Sequence, residues 1–388
     1  MPPTAHAKLS ASSAHRWLEC TAAPGFEQQF PQKTSVFAEE GTLAHEFCEI
    51  VGRNMFGLLD NEDAAERAIQ LEQNEHFDKE MHSTVKFYAD QLWDASLSYE
   101  APPAVFFEVR VPLDEWIPEG FGTCDCCMIG GDTLRIFDYK HGKGVKVDSE
   151  NNPQMRLYAL GALAKFRLVY GDSIKKVITA IIQPRISEDV STEELTVEEL
   201  LSWGESIKPA AHAAFTGEGA EFHAGEWCRF CAGKAQCRAR AEGFTALEEA
   251  AAMEPNKLTD SELADLLRRG AGLKQWYEDL QDYAREAILG GHSLEGWKVV
   301  AGRSARAFTD TDKALDLLRQ AGYADAILYK REPLTLAQLE KEIGKKKFSE
   351  ICGSLITTPL GKPTLVAASD KRQPYNSALL EAEGLKNG

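Results

Sequence analysis

Hydrophobic and polar residues alternate along several stretches of the chain, most clearly in Leu134-Arg135-Ile136-Phe137-Asp138-Tyr139-Lys140. A period of two puts Leu134, Ile136, Asp138 and Lys140 on one face of a strand, so an acid and an amine project side by side. Gly130-Gly131-Asp132 suits a hairpin turn, and the apolar stretch Thr123 to Ile129 before it reads as the partner strand. Their pairing brings Asp125 alongside Asp138. Another strand is predicted near 104–111, and Val177-Ile178-Thr179-Ala180-Ile181-Ile182-Gln183 reads as a buried one. Helices are expected over 8–20, over 42–53 with Thr42 as N-cap, over much of 63–98, from Pro153 to about 166, and over 197–215. This order describes an α/β (α+β) domain.

From about 246 the pattern changes. Two helices broken near Gly270-Ala271-Gly272 are expected over 259–290, a short strand over Trp297 to Ala301, and helices over 310–320 and 335–343. Ile356 to Thr358 and Thr364 to Ala368, around Pro359-Leu360-Gly361-Lys362-Pro363, read as a hairpin, with a mobile tail after about 376. The expected division is therefore 1–245 and 246–388, the second part an accessory α+β domain that binds DNA or a protein partner.

Composition sets the broad class. The chain is 44% hydrophobic and 27% charged, as in an ordinary globular protein. It has no run of eighteen apolar residues for a membrane span, and Met1 to Leu9 lacks a charged stretch followed by an apolar core, so a cytoplasmic protein is expected. The net charge of −17 disfavours nonspecific nucleic-acid binding. The charge is uneven, however: Lys140-His141-Gly142-Lys143-Gly144-Val145-Lys146 is basic, and Arg229, Lys234, Arg238 and Arg240 surround a group of cysteines. Further basic positions are Arg303 and Arg306, Lys345-Lys346-Lys347, and Lys371-Arg372.

Asp125, Asp138 and Lys140 are the residue types a metal-dependent phosphodiesterase needs. Carboxylates hold a hard divalent cation through oxygen, and an amine offsets the charge gained in the transition state. A D-x-K triplet alone is equally an ion pair. The predicted helix from Pro153 presents Gln154 and Tyr158 on one face. His45 lies on the upstream helix with Glu49 one turn on, and Glu108 is either part of the site or structural.

Together these elements resemble the PD-(D/E)xK nuclease superfamily, in its RecB-like branch of phage and prophage exonucleases. That branch carries a helix histidine, a G-x-x-D strand, a D/E-x-K strand and a Q-x-x-x-Y helix. Here these are His45, Gly122-Thr123-Cys124-Asp125, Asp138-Tyr139-Lys140 and Gln154 through Tyr158, in that order, within roughly residues 8 to 240. The resemblance implies a restriction-endonuclease-like core behind helical N-terminal elements, with Mg²⁺ or Mn²⁺ on His45, Asp125 and Asp138. It implies catalytic roles for Asp125, Asp138, Lys140, Gln154 and Tyr158, and DNA hydrolysis to 5′-phosphate products. DNA contacts are expected from Lys143 and Lys146, and from Arg16 to a terminal phosphate. No G-x-x-x-x-G-K-[ST] motor motif is present, so a single-strand annealing or single-strand-binding protein would be a separate partner. The alternative is an inactive nuclease fold serving as a DNA-binding scaffold.

Nine cysteines give a second signal. Reduced, clustered thiols point to metal rather than disulfides, and Cys228-x2-Cys231-x5-Cys237 is such a cluster, with Cys20 as candidate fourth ligand. Spacing allows zinc or iron–sulfur. Iron–sulfur nucleases of the RecB-like type place one cysteine before the core and three after it. The resemblance therefore implies a [4Fe–4S] cluster on Cys20, Cys228, Cys231 and Cys237. Cys124, Cys126 and Cys127 read as small strand residues, and Cys48 and Cys352 as ordinary buried ones.

Overall fold

The computed structural model describes residues 7–31, 36–251, 259–270, 272–300, 311–320, 328, 338–340, 344–352 and 355–356. By compactness the chain divides into residues 1–300 and 301–388, so residues 246–300 group with the first unit.

The first unit is built on a five-stranded mixed sheet. Its strands are β1 (Ala104–Pro112), β2 (Phe121–Gly130), β3 (Thr133–Tyr139), β4 (Lys176–Ile182) and β5 (Ser191–Thr196), paired in sequence order. All neighbours are antiparallel except β3 and β4. That parallel pair requires a crossover, supplied by α6 (Pro153–Tyr170). Gly131, at φ 55°, makes the tight β2–β3 turn that a side chain would strain.

Two apolar layers cover the sheet. One packs α6 and α7 (Val197–Thr216) with Leu134, Ile136, Val177 and Ile181, and takes in Trp17 from the N-terminal segment. The other packs α3 (Val36–Met55) and α5 (Glu80–Ser96) with Phe107, Met128, Phe137 and Tyr139. Alternate residues of β3 serve opposite layers, as its pattern predicted.

Several elements differ from expectation. The helix over 42–53 begins at Val36, and Thr42 is interior: its hydroxyl donates to the Ala38 carbonyl at 3.0 Å instead of capping. The stretch 63–98 is two helices, α4 (Asn61–Glu72), capped by Asp60, and α5. The first helix splits into a 3₁₀ turn, Ala11–Ser13, and α1 (Ala14–Glu19), with α2 (Ala23–Glu27) following. Edge strand β5, Ser-Thr-Glu-Glu-Leu-Thr, is too polar for the hydrophobic pattern to reveal. The expected strand at Trp297 is irregular through Val300.

Downstream, α8 (Arg238–Ala251), α9 (Asp260–Arg269) and α10 (Leu273–Leu289) follow, with Gly272 at φ 86° breaking the last pair as predicted. In the second unit, α11 (Thr311–Gln320) matches expectation, and α12 (Lys345–Cys352) buries Phe348. The predicted hairpin beyond Ile356, most of 335–343, Arg303, Arg306, Lys371, Arg372 and the tail after about 376 lie outside the described residues.

Candidate metal centre and cysteine cluster

The strands open where the acids gather. Strand register puts Glu108 of β1 opposite Asp125 of β2, although neither is in a ladder pair. Asp125 would next face Asp138, but the β2–β3 ladder ends at Cys126 and Phe137. The alternation also slips here. Val105 and Phe107 pack under α3 and α5, whereas Val109 and Val111 pack under α6. On β2, Cys126 and Met128 serve the α3 layer and Cys124 the α6 layer. Both strands therefore reverse face at one row. Glu108 accommodates the reversal with φ 48°, a left-handed conformation costing about 1–3 kcal/mol in a non-glycine residue.

Helix α3 is pressed onto this row. A Cβ on Gly52 would sit 2.4 Å from the Phe107 ring, and Arg53 donates to the Phe107 carbonyl at 3.2 Å. That close approach delivers His45, whose Nδ1 lies 3.2 Å from Asp125 Oδ2. The same carboxylate oxygen accepts the Tyr139 amide at 2.8 Å, replacing the missing ladder bond. Ligand atoms of His45, Glu108 and Asp125 all lie within 4.8 Å of one another.

Asp138 approaches from the α6 side. Gln154 Nε2 donates to Asp138 Oδ1 at 3.0 Å and to the Tyr158 hydroxyl at 3.1 Å, while Lys140 donates to Gln154 Oε1 at 3.0 Å. The Lys140 ammonium is 2.9 Å from Asp138 Oδ2 and neutralises this buried oxygen. Gly122 explains the start of the G-x-x-D motif: a Cβ there would meet the Tyr158 ring at 2.8 Å.

The charges form one coupled set. Burial raises the Asp138 carboxyl, and Asp125 adds to this against the pull of Lys140. For Asp125 burial is outweighed by His45 and the Tyr139 amide, so its pKa falls. Burial opposes the charge on Lys140, yet Asp138 holds its pKa up, so it is an ammonium. His45 is likewise disfavoured by burial, but Asp125 carries it to about 9. Burial beside Asp125 pushes Glu108 up to about 8.

The structure thus brings together His45, Asp125, Asp138, Lys140, Gln154 and Tyr158, and adds Glu108. A network that the sequence did not reveal lies beside them. His141 bonds the Tyr139 hydroxyl at 2.9 Å and Glu40 at 3.1 Å. Arg185 bridges Glu40 at 2.6 Å and Glu80 at 3.2 Å. The expected DNA-binding cations all have carboxylate partners: Lys143 with Glu80, Lys146 with Asp148, and Arg16 with Glu27. The two lysine pairs are well exposed and hold each other weakly, whereas Arg16 is largely enclosed.

Cys20, Cys228, Cys231 and Cys237 line one small cavity with Ala23, Phe26 and Trp227. The chain's early and late segments are laced around it. Ala22 donates to the Glu221 carbonyl at 3.0 Å, Ala232 to Glu27 at 2.8 Å, and Arg16 to the Phe230 carbonyl at 3.2 Å. Burial raises the Cys20 thiol and takes Cys231 to about 12. Cys124, Cys126, Cys127 and Cys48 are buried core residues, while Cys352 is half-buried.

A family model described as "Protein of unknown function (DUF2800)" matches residues 6–373. A solved structure, "Crystal structure of SSO0001", is 12% identical, with 50% of this chain and 85% of that chain covered at a TM-score of 0.24. That likeness is too slight to bear on the fold.

Proposed function

The chain belongs to the DUF2800 family, and we propose that it is a metal-dependent deoxyribonuclease with a PD-(D/E)xK core, acting as an exonuclease at DNA ends. The observation that carries this reading is the gathering of five ionisable side chains, His45, Glu108, Asp125, Asp138 and Lys140, where two strands reverse face. Glu108 holds a strained backbone and a carboxyl that burial beside Asp125 disfavours in its charged form, a cost that a bound cation would offset.

The donor set fits a hard divalent cation, Mg²⁺ or Mn²⁺. His45, Glu108 and Asp125, whose ligand atoms lie within 4.8 Å of one another, would hold it, and Asp138, outside that group and paired with Lys140, would join them on binding. Such a cation polarises a phosphate oxygen and lowers the pKa of a bound water. Lys140 supplies a fixed positive charge beside the scissile phosphate to offset charge developing in the transition state. Gln154 grips Lys140, Asp138 and Tyr158 at once, which fixes the geometry of both charged groups. Lys143 and Lys146 exchange exposed carboxylate partners for DNA phosphates.

A [4Fe–4S] cluster on Cys20, Cys228, Cys231 and Cys237, which line one cavity, would staple the two ends of the nuclease domain. Zinc is the competing occupant, and a brown purified protein with broad visible absorbance distinguishes them. The setting that suits such an enzyme is phage recombination or end processing in the bacterial cytoplasm, where a separate annealing protein receives the exposed single strand. Among the described residues no helix is long and apolar enough to cross a membrane.

The test is degradation of labelled linear and circular duplex and single-stranded DNA with and without Mn²⁺. Loss of linear substrate alone, only with the metal, is the expected result. Survival of every substrate refutes the nuclease reading, and cleavage of circles refutes its exonuclease part.

A further inference from the structure

The 3₁₀ turn Glu226–Phe230, which holds Cys228 and ends just before Cys231, carries an aromatic side chain outward. Phe230 is 70% exposed although hydrogen bonds hold its backbone on both sides. The Cys231 amide bonds the Cys228 carbonyl at 3.1 Å, and Arg16 holds the Phe230 carbonyl. Lys234 holds the Arg229 carbonyl at 3.2 Å. A single exposed phenylalanine is ordinary. One presented on a fixed base, beside unneutralised cations, is less so.

The cations around this turn fall into two groups. Lys234 and Arg240 share Asp279, and Arg16 is tied to Glu27. Among the described residues, Arg229 and Arg238 have no carboxylate partner, although the chain carries a net charge of −17. Arg229 instead sets its guanidinium 5.7 Å from the centre of the Phe230 ring. Phe222, 47% exposed, packs edge-on against Phe26 on the neighbouring segment. An open aromatic face with cations at its border is what a single-stranded nucleic acid recognises: bases stack on rings, and phosphates meet guanidinium groups.

We propose that Phe230 and Arg229 form a stacking platform for single-stranded DNA on the shoulder of the cysteine cavity. The inference rests on the nuclease reading and extends it to how the substrate is held. The platform is joined to the metal centre by a short piece of chain. Ala11 lies 3.7 Å from the Cβ position of Gly122, three residues ahead of Asp125, and Cys20 lies at the cavity. The eight residues between them span roughly 14 Å at helical rise. A strand held at Phe230 would run along this segment toward the acids, and the platform would engage a strand already separated from its complement. Arg229 faces the phosphates that follow the stacked base.

The test is fluorescence anisotropy of labelled dT20 and of a blunt duplex with the full chain in EDTA, where cleavage cannot occur. Wild type, Phe230→Ala, Phe230→Trp and Arg229→Gln are compared, with the visible absorbance spectrum and circular dichroism as folding controls. Phe230→Ala is expected to raise the Kd for dT20 about tenfold, Phe230→Trp to stay within about twofold, and duplex binding to change by less than about twofold. Arg229→Gln weakens dT20 binding and flattens its salt dependence. The platform is overturned if Phe230→Ala binds dT20 like wild type, if it loses single strand and duplex equally, or if wild type does not bind dT20. Mn²⁺-dependent degradation by the same preparations separates the two ideas. Cleavage with unaltered dT20 binding by Phe230→Ala sinks the platform alone. Selective loss of dT20 binding in a protein that never cleaves sinks the nuclease reading alone.

Discussion

Asp125 Oδ2 accepts the Tyr139 amide hydrogen at 2.8 Å, so a side chain completes the sheet where the ladder between β2 and β3 stops. One carboxylate therefore has two duties, closing the backbone bond and facing His45 at 3.2 Å. Asp125→Ala leaves a buried amide without an acceptor and is expected to cost about 1–3 kcal/mol. Asp125→Asn keeps an acceptor and should cost less, yet both variants should lose divalent-metal binding. Denaturant unfolding together with calorimetric titration of Mn²⁺ checks the pair. Equal metal affinity in either variant contradicts the assignment.

The titrating groups predict a falling stability curve in chelator. His45 is raised from 6.5 to about 9 and Glu108 from 4.5 to about 8. A raised folded-state pKa stabilises fully below the unfolded value and is lost as pH climbs through the folded one. Glu108 therefore withdraws stability between about 4.5 and 8, and His45 between about 6.5 and 9. Tm measured in EDTA should fall by roughly 5–10 °C from pH 5 to pH 9. Both groups must shed a proton to bind a cation, so Mn²⁺ affinity should rise with pH over the same range. Glu108→Gln flattens the lower part of the Tm curve. A flat curve in wild type contradicts the assignment.

Gly122→Ala puts a methyl 2.8 Å from the Tyr158 ring. The ring must move, and Gln154 moves with it because its Nε2 holds the Tyr158 hydroxyl. The expected cost is about 1–3 kcal/mol. The matching loss of turnover should exceed any rise in KM, because the substitution shifts Lys140 and Asp138 through Gln154. Wild-type turnover in Gly122→Ala argues that the helix pair does not position the acids.

Arg185 is 8% exposed and serves Glu40, Glu80 and the His141 carbonyl. Removing it leaves Glu40 with His141 and Glu80 with Lys143. Arg185→Ala should cost about 1–3 kcal/mol, and adding Glu40→Gln should recover part of this. A double-mutant cycle by chemical denaturation shows whether the two are coupled.

Much of this was legible because period-two alternation survives in β3, which serves two apolar layers at once. That alternation placed Asp138 and Lys140 on one face and their neighbours on the other. Gln154 and Tyr158 were readable because a helix puts residues four apart on one side. Glu108 was open between the site and a structural place, since its position depends on a left-handed backbone at an unpaired row, which nothing local in Phe-Phe-Glu-Val announces. Strand β5 escaped because an exposed edge strand tolerates Glu and Thr. The Glu40–Arg185–Glu80 network escaped because its members lie far apart in sequence. The separation of cysteines into a cavity set and a strand set followed from spacing, since Cys228, Cys231 and Cys237 lie close in sequence while Cys124, Cys126 and Cys127 interrupt an apolar strand.

The central claim is that the pocket of Asp125, Asp138 and Lys140 cleaves phosphodiester bonds. Its most direct test is the single-turnover rate of end-labelled linear DNA cleavage with Mn²⁺ for wild type and Lys140→Ala at matched metal occupancy. A fall of about 10²–10³-fold in Lys140→Ala, with Mn²⁺ affinity kept within severalfold, is predicted. Undiminished cleavage by Lys140→Ala, or none by wild type, would contradict the account.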